Sequence, residues 1–363
     1  MRDSISPRRA AVRYLSAAAV AFLIALCLSC GPGRGPDAFI PADLDPPSVR
    51  SVAATGESSV SLVFSEAVRV PIEAPALWGP DGRKVPVATV NAEGGTLGVV
   101  AGEALVPGAE YRLEGRVEDQ AGNSLGFILT FNGLNPRPSS MLINEVRTDS
   151  SAPRSDLIEL FVTRGGLCAG FSLISGSADD PDWAYRLPSC ETARGEYLII
   201  HLGQPEGGSY PDELGADLAL SGGPDSLSAA RDLWLPEKVS LPKSNGIVLL
   251  IDPDGKAMDA LAYSDKVPEP SAAYGGFGTR AFQDRIQALA AQEAWKLSDP
   301  PSPGDLVSSR GVTSTRTLCR DSASSDTDSP ADWHIVPTKG QSFGSANSDE
   351  RYAPAAASVK RRK

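Results

Sequence analysis

The apolar residues of this 363-residue chain fall in short runs and not in long helical periods. Runs such as residues 60–64, 127–131 and 246–251 have the length of strands and are bounded by Gly, Pro, Asp or Ser. This pattern is typical of β-strands joined by turns. The chain has 35 Gly and 30 Pro but only 6% aromatic residues. We therefore expect an all-β fold rich in turns.

A central stretch carries acidic residues inside apolar strands. In residues 157–162, Leu157, Glu159 and Phe161 would face one side of a strand, and the apolar residues at 158, 160 and 162 would face the other. Glu145 lies similarly at the end of the apolar run 141–146. An unpaired buried carboxylate is costly. We expect both glutamates to accept hydrogen bonds from backbone groups or to pair with Arg.

These two runs, together with residues 167–173, resemble the opening strands of a lamin tail domain. Residues 246–263 resemble a later hairpin of the same family, which turns at Asp252 and Gly255. The chain departs from the family pattern at Thr163-Arg164 and at Phe171, where Trp is common. The resemblance covers residues 141–347, with insertions at 204–242 and 264–312. It implies an immunoglobulin-like sandwich that binds or supports other molecules.

The preceding region has a different set of motifs. Residues 63–68 read VFSEAV, residues 105–111 read LVPGAEY and residues 119–123 read DQAGN. In this order they resemble a bacterial immunoglobulin-like domain of the S-layer (SbsA) type over residues 46–136. We expect Tyr111 to pack its ring in the sandwich while its hydroxyl reaches the backbone. The predicted fold is therefore two tandem immunoglobulin-like β-sandwiches, the second with a helical and loop insertion, joined by a linker at 133–140.

One amphipathic helix is expected inside the second insertion. Thr279 would cap a helix over residues 280–295, with Phe282, Ile286, Leu289 and Glu293 at three- and four-residue spacing. Its apolar stripe either packs on the sandwich or binds a partner.

The beginning of the chain reads as a targeting segment. Basic residues lie before an apolar run of 14 residues (15–28), which is shorter than the ~20 residues that span a membrane. The sequence around Cys30 resembles a bacterial lipobox, which implies a lipoprotein signal peptide at 1–29, a diacylglyceryl group on Cys30 and a flexible tether at 30–45. The alternative is an ordinary secretory signal cut near Ser29.

The net charge limits the classes of molecule that the mature protein is expected to bind. Removing the leader, with four Arg against Asp3, takes the formal charge from −11 to −14. An acidic body argues against nucleic-acid binding, which requires Lys and Arg at phosphates. The exception is the basic end, Lys360 to Lys363, within a tail at 348–363 that we expect to be disordered.

The remaining chemistry-bearing residues are few. Cys168 and Cys190 are the preferred disulfide pair in an oxidising compartment, although Cys319 is an alternative partner. His201 and His334 read as packed side chains. We expect no cofactor and no metal site. A calcium site built from Glu66, Asp119 and Asn123 is the alternative to a capped turn.

These observations predict a non-enzymatic, lipid-anchored protein of the bacterial cell envelope. Its partners would be the membrane, through the N-terminal lipid, and an unidentified envelope protein or glycan. The alternatives are a hydrolase-associated protein and a calcium-dependent adhesin.

Overall fold

The computed structural model describes residues 43–354, apart from residues 72, 151, 153, 270 and 271. The predicted all-β sandwich class is confirmed. In this part of the chain two sandwiches follow one another, and the helical structure consists of one α-helix and short 3-10 turns.

The first sandwich packs the sheet β1-β2-β6-β5 against the sheet β4-β3-β7-β8. Its strands are β1 (Val49–Ala54), β2 (Ser59–Phe64), β3 (Ala76–Trp78), β4 (Lys84–Val85), β5 (Val87–Glu93), β6 (Thr96–Ala101), β7 (Glu110–Glu118) and β8 (Ser124–Asn132). Alternate residues of β2 and β7 point inward, among them Leu62 and Leu113, which have no exposed surface. This alternation buries one face of each sheet.

The turn before β7 is built as expected. The ring of Tyr111 is buried, and its hydroxyl accepts a hydrogen bond from the backbone N–H of Val106 at 2.8 Å. Gly108 has φ +69°, and a Cβ on it would collide with the backbone of Ala169 and Gly170 in the second sandwich. Glycine is therefore required both for the turn and for the contact between domains.

The second sandwich packs a sheet in the order β16-β15-β10-β9-β20-β21 against one in the order β13-β12-β17-β18-β19, with a small β11-β14 pair beside them. Its strands are β9 (Ser140–Arg147), β10 (Leu157–Arg164), β11 (Gly166–Leu167), β12 (Ser172–Gly176), β13 (Pro181–Arg186), β14 (Glu191–Thr192), β15 (Tyr197–His201), β16 (Arg231–Trp234), β17 (Asn245–Ile251), β18 (Ala257–Ser264), β19 (Val307–Ser308), β20 (Leu318–Arg320) and β21 (Trp333–Ile335).

The two predicted insertions each add a strand to this sandwich. Strand β16 pairs in parallel with β15, and β19 pairs in parallel with β18. Parallel neighbours need a long crossover connection. The extra residues at 204–242 and 264–312 supply these connections.

The helix α1 (Arg280–Ala290) begins where the sequence predicts. The side chain of Thr279 accepts a hydrogen bond from the backbone N–H of Phe282, and Phe282, Ile286 and Leu289 are buried in the core of the second sandwich. The expected packing is confirmed. The predicted end at 295 is wrong, because the helix ends at Ala290 and Glu293 has φ +55°, outside the helical region.

Candidate functional site

The acidic residues of the central stretch meet on neighbouring strands. In the antiparallel β9-β10 pair, Glu159 lies directly opposite Glu145. Neither side chain has exposed surface. Residues opposite one another in such a pair have Cβ atoms about 5 Å apart, so the fold brings two carboxyl groups together.

The two carboxyl groups are held by residues from the end of the chain. Glu145 accepts hydrogen bonds from the hydroxyl of Thr317 and from the backbone N–H and hydroxyl of Ser342. Glu159 accepts from Asn144 Nδ2 at 2.8 Å and from the backbone N–H of Gly344 at 2.6 Å. The expected bonds to backbone donors are therefore present. Neither carboxyl group forms an ion pair with an Arg within the described residues.

Burial makes two negative charges on Glu145 and Glu159 unfavourable. Burial and the neighbouring Glu145 raise the pKa of Glu159 to about 8. Burial also raises the pKa of Glu145, although Thr317, Ser342 and the more distant Arg147 oppose this increase. Glu145 has more donors, which favour its charged form, whereas Glu159 keeps a proton at neutral pH.

Asn347 closes the network. Its Nδ2 donates to the backbone oxygens of Asn144 and Arg320, and its Oδ1 accepts from Ser342 Oγ at 3.0 Å. Asn144 and Asn347 are both buried. The arrangement therefore satisfies buried polar groups through the chain's own donors and acceptors.

An acidic cluster lies at the start of the first sandwich. Ligand atoms of Asp43, Glu66 and Asp119 lie within 4.8 Å of one another. Burial, Asp119 and two further aspartates raise the pKa of Glu66. Two residues of the predicted calcium alternative, Glu66 and Asp119, thus come together, and Asp43 joins them.

The turn at residues 119–123 holds Asp119 in place beside the other two acidic residues. Asp119 accepts hydrogen bonds from the backbone N–H and from Nδ2 of Asn123, both at 2.8 Å. Burial opposes the charge on Asp119, but these donors outweigh it and lower its pKa. Asn123 Nδ2 also donates to the backbone oxygen of Asp43. Asn123 therefore caps the turn and ties down the incoming chain, and the three carboxylates remain a candidate cation site only.

Cys168 and Cys190 are adjacent, as the disulfide prediction requires, but both thiols are free. Cys168 Sγ lies 3.1 Å from the backbone oxygen of Cys190 and 3.2 Å from its backbone nitrogen. Contact with Cys190 lowers the pKa of the Cys168 thiol. The disulfide itself stays a prediction.

Two histidine pairs were not foreseen from the sequence. His201 Nε2 lies 2.7 Å from Asp232 Oδ1, and its ring stacks on Trp234 at 3.6 Å between centroids. His334 Nε2 lies 3.5 Å from Cys319 Sγ and 2.8 Å from the backbone oxygen of Ser348. No motif signals these pairs, because the partners come from separate strands or loops.

The Cys319–His334 pair is not arranged as a nucleophile and its base. Burial, reinforced by Glu145 and Glu159, raises the pKa of the Cys319 thiol. A reactive cysteine needs an accessible, stabilised thiolate, whereas Cys319 has no exposed surface. Both histidines are buried, which agrees with the expectation of packed side chains.

A groove of about 580 Å³ runs between the two sandwiches. Ala53 and Thr130 line it from the first sandwich, and Ile174, Arg186 and Met258 line it from the second. Arg164, Asp252 and Asp254 add charges of both signs. It is one of several concave surfaces among the described residues, and its lining selects no single ligand class.

Several predicted features lie outside the described residues: the signal peptide at 1–29, the lipidation site Cys30, most of the tether and the basic residues of the tail. Within residues 43–354, no helix has the length and apolar character needed to cross a membrane.

Comparison with solved structures gives weak matches. One is the N-terminal part of the bacterial S-layer protein SbsC, at 16% identity over 60% of this chain and 43% of that one, with a TM-score of 0.24. Another is a DUF4876 family protein from Bacteroides thetaiotaomicron, at 11% identity over 74% of this chain and 86% of that one, with a TM-score of 0.26. Scores this low carry no argument about function.

Comparison with protein sequences is more informative. An uncharacterized protein of Treponema pallidum (strain Nichols) is 31% identical over 158 residues, which are 43% of this chain and 39% of that protein. The chain thus matches less than half the length of this relative. A family model described as "TP_1001_2nd: protein second domain" matches residues 139–335, which is more than half of the chain and most of the second sandwich. The chain therefore belongs to the TP_1001_2nd family.

Proposed function

We propose that this protein is a non-enzymatic, lipid-anchored module of the bacterial cell envelope. In this proposal Cys30 carries the lipid, residues 30–45 form the tether and the two sandwiches hold a binding surface away from the membrane. The lipobox-like sequence at Cys30 and the acidic, turn-rich body support it. The resemblance of residues 141–347 to a lamin tail domain is part of the same proposal.

The observation that carries the proposal is the junction between the sandwiches. Asn135, which is buried, donates from Nδ2 to the backbone oxygens of Leu167 and Ala169 at 2.8 and 2.9 Å. Arg186 of the second sandwich donates to Asn132 Oδ1 of the first at 2.6 Å. Such contacts hold two domains in a fixed orientation, which suits a spacer or a presenting scaffold.

The positions of the buried polar side chains agree with a non-enzymatic module. The buried Glu145, Glu159, His201 and Cys319 are bound to other groups of the chain and do not line the groove between the domains. That groove is the surface we assign to an envelope protein or a glycan. The hydrolase alternative has no comparable support, since the Cys319 thiol is buried and not activated.

The decisive experiment measures the mass of the protein extracted from membranes. We expect the native protein to begin at Cys30 and to carry acyl chains. A Cys30→Ala variant should lack them and appear in the soluble fraction. Cys27→Ala is the matched control, because it changes a neighbouring thiol and should leave the lipid in place. A mature chain that begins near Gly31 without lipid would overturn the anchored module.

A further inference from the structure

The C-terminal part of the second sandwich forms a layer outside its two sheets. On β10, Ile158 and Leu160 point into the main core, whereas Leu157 points to the other face. There Leu157, Ile199 and Ala230 form a separate apolar cluster, against which Phe343 packs. We call residues 342–347, which lie over this outer face, the cover.

The cover is fitted closely to the sheet. Gly344 has φ +76°, and a Cβ on it would lie 3.1 Å from Leu227 Cδ1 and 3.4 Å from Ala230 Cβ. The guanidinium carbon of Arg147 lies 5.9 Å from the centre of the Phe343 ring. These apolar contacts are few, so the attachment of the cover depends strongly on its polar bonds.

At one end of the cover Asn347 binds the backbone oxygens of Asn144 and Arg320, and at the other end the polar bonds go to the two buried glutamates. Ser342 donates twice to Glu145, and Gly344 donates its backbone N–H to Glu159. Ser342 of the cover therefore binds one of the two facing carboxyl groups, and Gly344 binds the other.

Other charged or titratable groups around the pair do not neutralise a second charge. Arg147 of β9 is the cation that acts on Glu145, and it is already bound to Asp225 at 2.6 Å. Tyr197 of β15 and Cys319 of β20 also feel the glutamates, and their pKa values are raised, by burial first. His334 lies behind Cys319, and burial lowers its pKa. These three side chains are neutral at pH 7.

We propose that the cover is a pH-sensitive latch: it stays closed while Glu159, which faces Glu145, is protonated, and it loosens as rising pH transfers that proton to solvent. Opening exposes the apolar face formed by Leu157, Ile199 and Ala230. The latch acts within the second sandwich and does not depend on the lipid anchor.

The sign of the effect follows from the two states of Glu159. When the cover is closed its pKa is about 8, and when the cover is open and the side chain meets water it returns towards the ordinary value of 4.5. The closed state therefore binds more protons between these values. Closure weakens as pH rises from about 5 to 8 and changes little above 8.

Hydrogen–deuterium exchange on the full chain tests this directly. After correction for intrinsic exchange rates, we expect the protection of the amides of the cover, above all that of Gly344, to fall at least tenfold, on the order expected from the linkage, between pH 6 and pH 8. The readout must be local, because burial also raises the pKa of Asp259 to about 7 and global stability will depend on pH as well.

The matched variant is Glu159→Gln, which is neutral at every pH and should give equal protection at pH 6 and pH 8. Glu206→Gln, which changes an exposed residue, should keep the wild-type dependence. Equal protection of the wild-type cover at both pH values, or a pH-dependent loss that persists in Glu159→Gln, would refute the latch.

If Glu159→Gln does not fold, carboxyl-carbon NMR of the wild-type chain decides instead. A glutamate carbon that titrates between about pH 7 and 9 supports the latch, given that ordinary glutamates titrate near 4.3. Titration of every glutamate below about pH 6 overturns it.

Discussion

Arg320 and Asp259 form an ion pair with no exposed surface in the second sandwich. Arg320 Nη2 donates to Asp259 Oδ1 at 2.8 Å, while the backbone N–H of Ile143 donates to Asp259 Oδ2 at 2.6 Å. Arg320 Nε in turn donates to the backbone oxygen of Ile143. The pair therefore connects β20, β18 and β9.

Removing one partner of this pair should be costly. We expect Arg320→Ala to lower the free energy of unfolding by about 3–5 kcal/mol, because Asp259 is left buried without its cation. Urea denaturation at pH 7 measures the loss. Arg69→Ala, which removes an exposed partner of Glu118, is the control and should have little effect. If the Arg320→Ala variant were as stable as Arg69→Ala, the buried ion pair would not stabilise the fold as expected.

At the scale of single residues, the sequence predicted orientations better than partners. The alternation of residues 157–162 correctly placed Glu159 on one face of the strand and the core-facing Ile158 and Leu160 on the other face. It did not reveal Gly344, which supplies a donor from 185 residues away. Periodicity reports the neighbours along a strand, whereas contacts across the fold depend on how distant segments pack.

At the scale of elements, α1 shows how a local signal fixes one end of a helix. Thr279 has extended backbone angles, and its side chain accepts a hydrogen bond from the N–H of Phe282 at 3.2 Å. Ser, Thr, Asp and Asn at this position satisfy backbone donors that the helix leaves free. The C-terminal end has no such signal in the sequence, and its prediction was wrong.

Thr279→Ala should therefore destabilise the second sandwich by about 1 kcal/mol. Thr279→Ser keeps the hydroxyl and should restore most of the loss. Urea denaturation with exchange measured on residues 280–290 separates a local effect from a global one. Equal stability of the Ala and Ser variants would show that the cap contributes nothing.

The strand predictions likewise succeeded where the signal was local and failed where pairing depends on distant segments. The hairpin of β17 and β18 was predicted from the apolar run 246–251 and from the resemblance of residues 246–263 to a family hairpin that turns at Asp252 and Gly255. Strands β3 and β4 were missed because they contain only three and two residues. The parallel partners of β15 and β18 were also missed, since their pairing is set by long crossovers and not by alternation.

At the scale of the whole molecule, the orientation of the two sandwiches depends on a small number of contacts. Asn135 binds two backbone oxygens of the second sandwich, and its own Oδ1 accepts from the N–H of Arg137 at 3.0 Å. The sequence indicated a linker at 133–140 with two prolines, but it gave no sign that the amide of Asn135 would bind the linker to the second sandwich.

Asn135→Ala should release this junction without unfolding either domain. We expect small-angle X-ray scattering to show a larger radius of gyration and a broader distance distribution, because two hydrogen bonds to backbone oxygens of the second sandwich are lost. Asn91→Ala, which changes an exposed residue of β5, is the control. Scattering curves that coincide for both variants and the wild type would show that other contacts fix the orientation.

The bond from Asn347 Nδ2 to the backbone oxygen of Asn144 joins residues 203 positions apart. Contacts of such long range slow folding, because much of the chain must be ordered before they form. As the chain is synthesised, β9 and β10 emerge long before the residues that satisfy their buried glutamates. The second sandwich is completed only when its last residues arrive, so a chain that ends before Ser342 would leave its first two strands without their final partners.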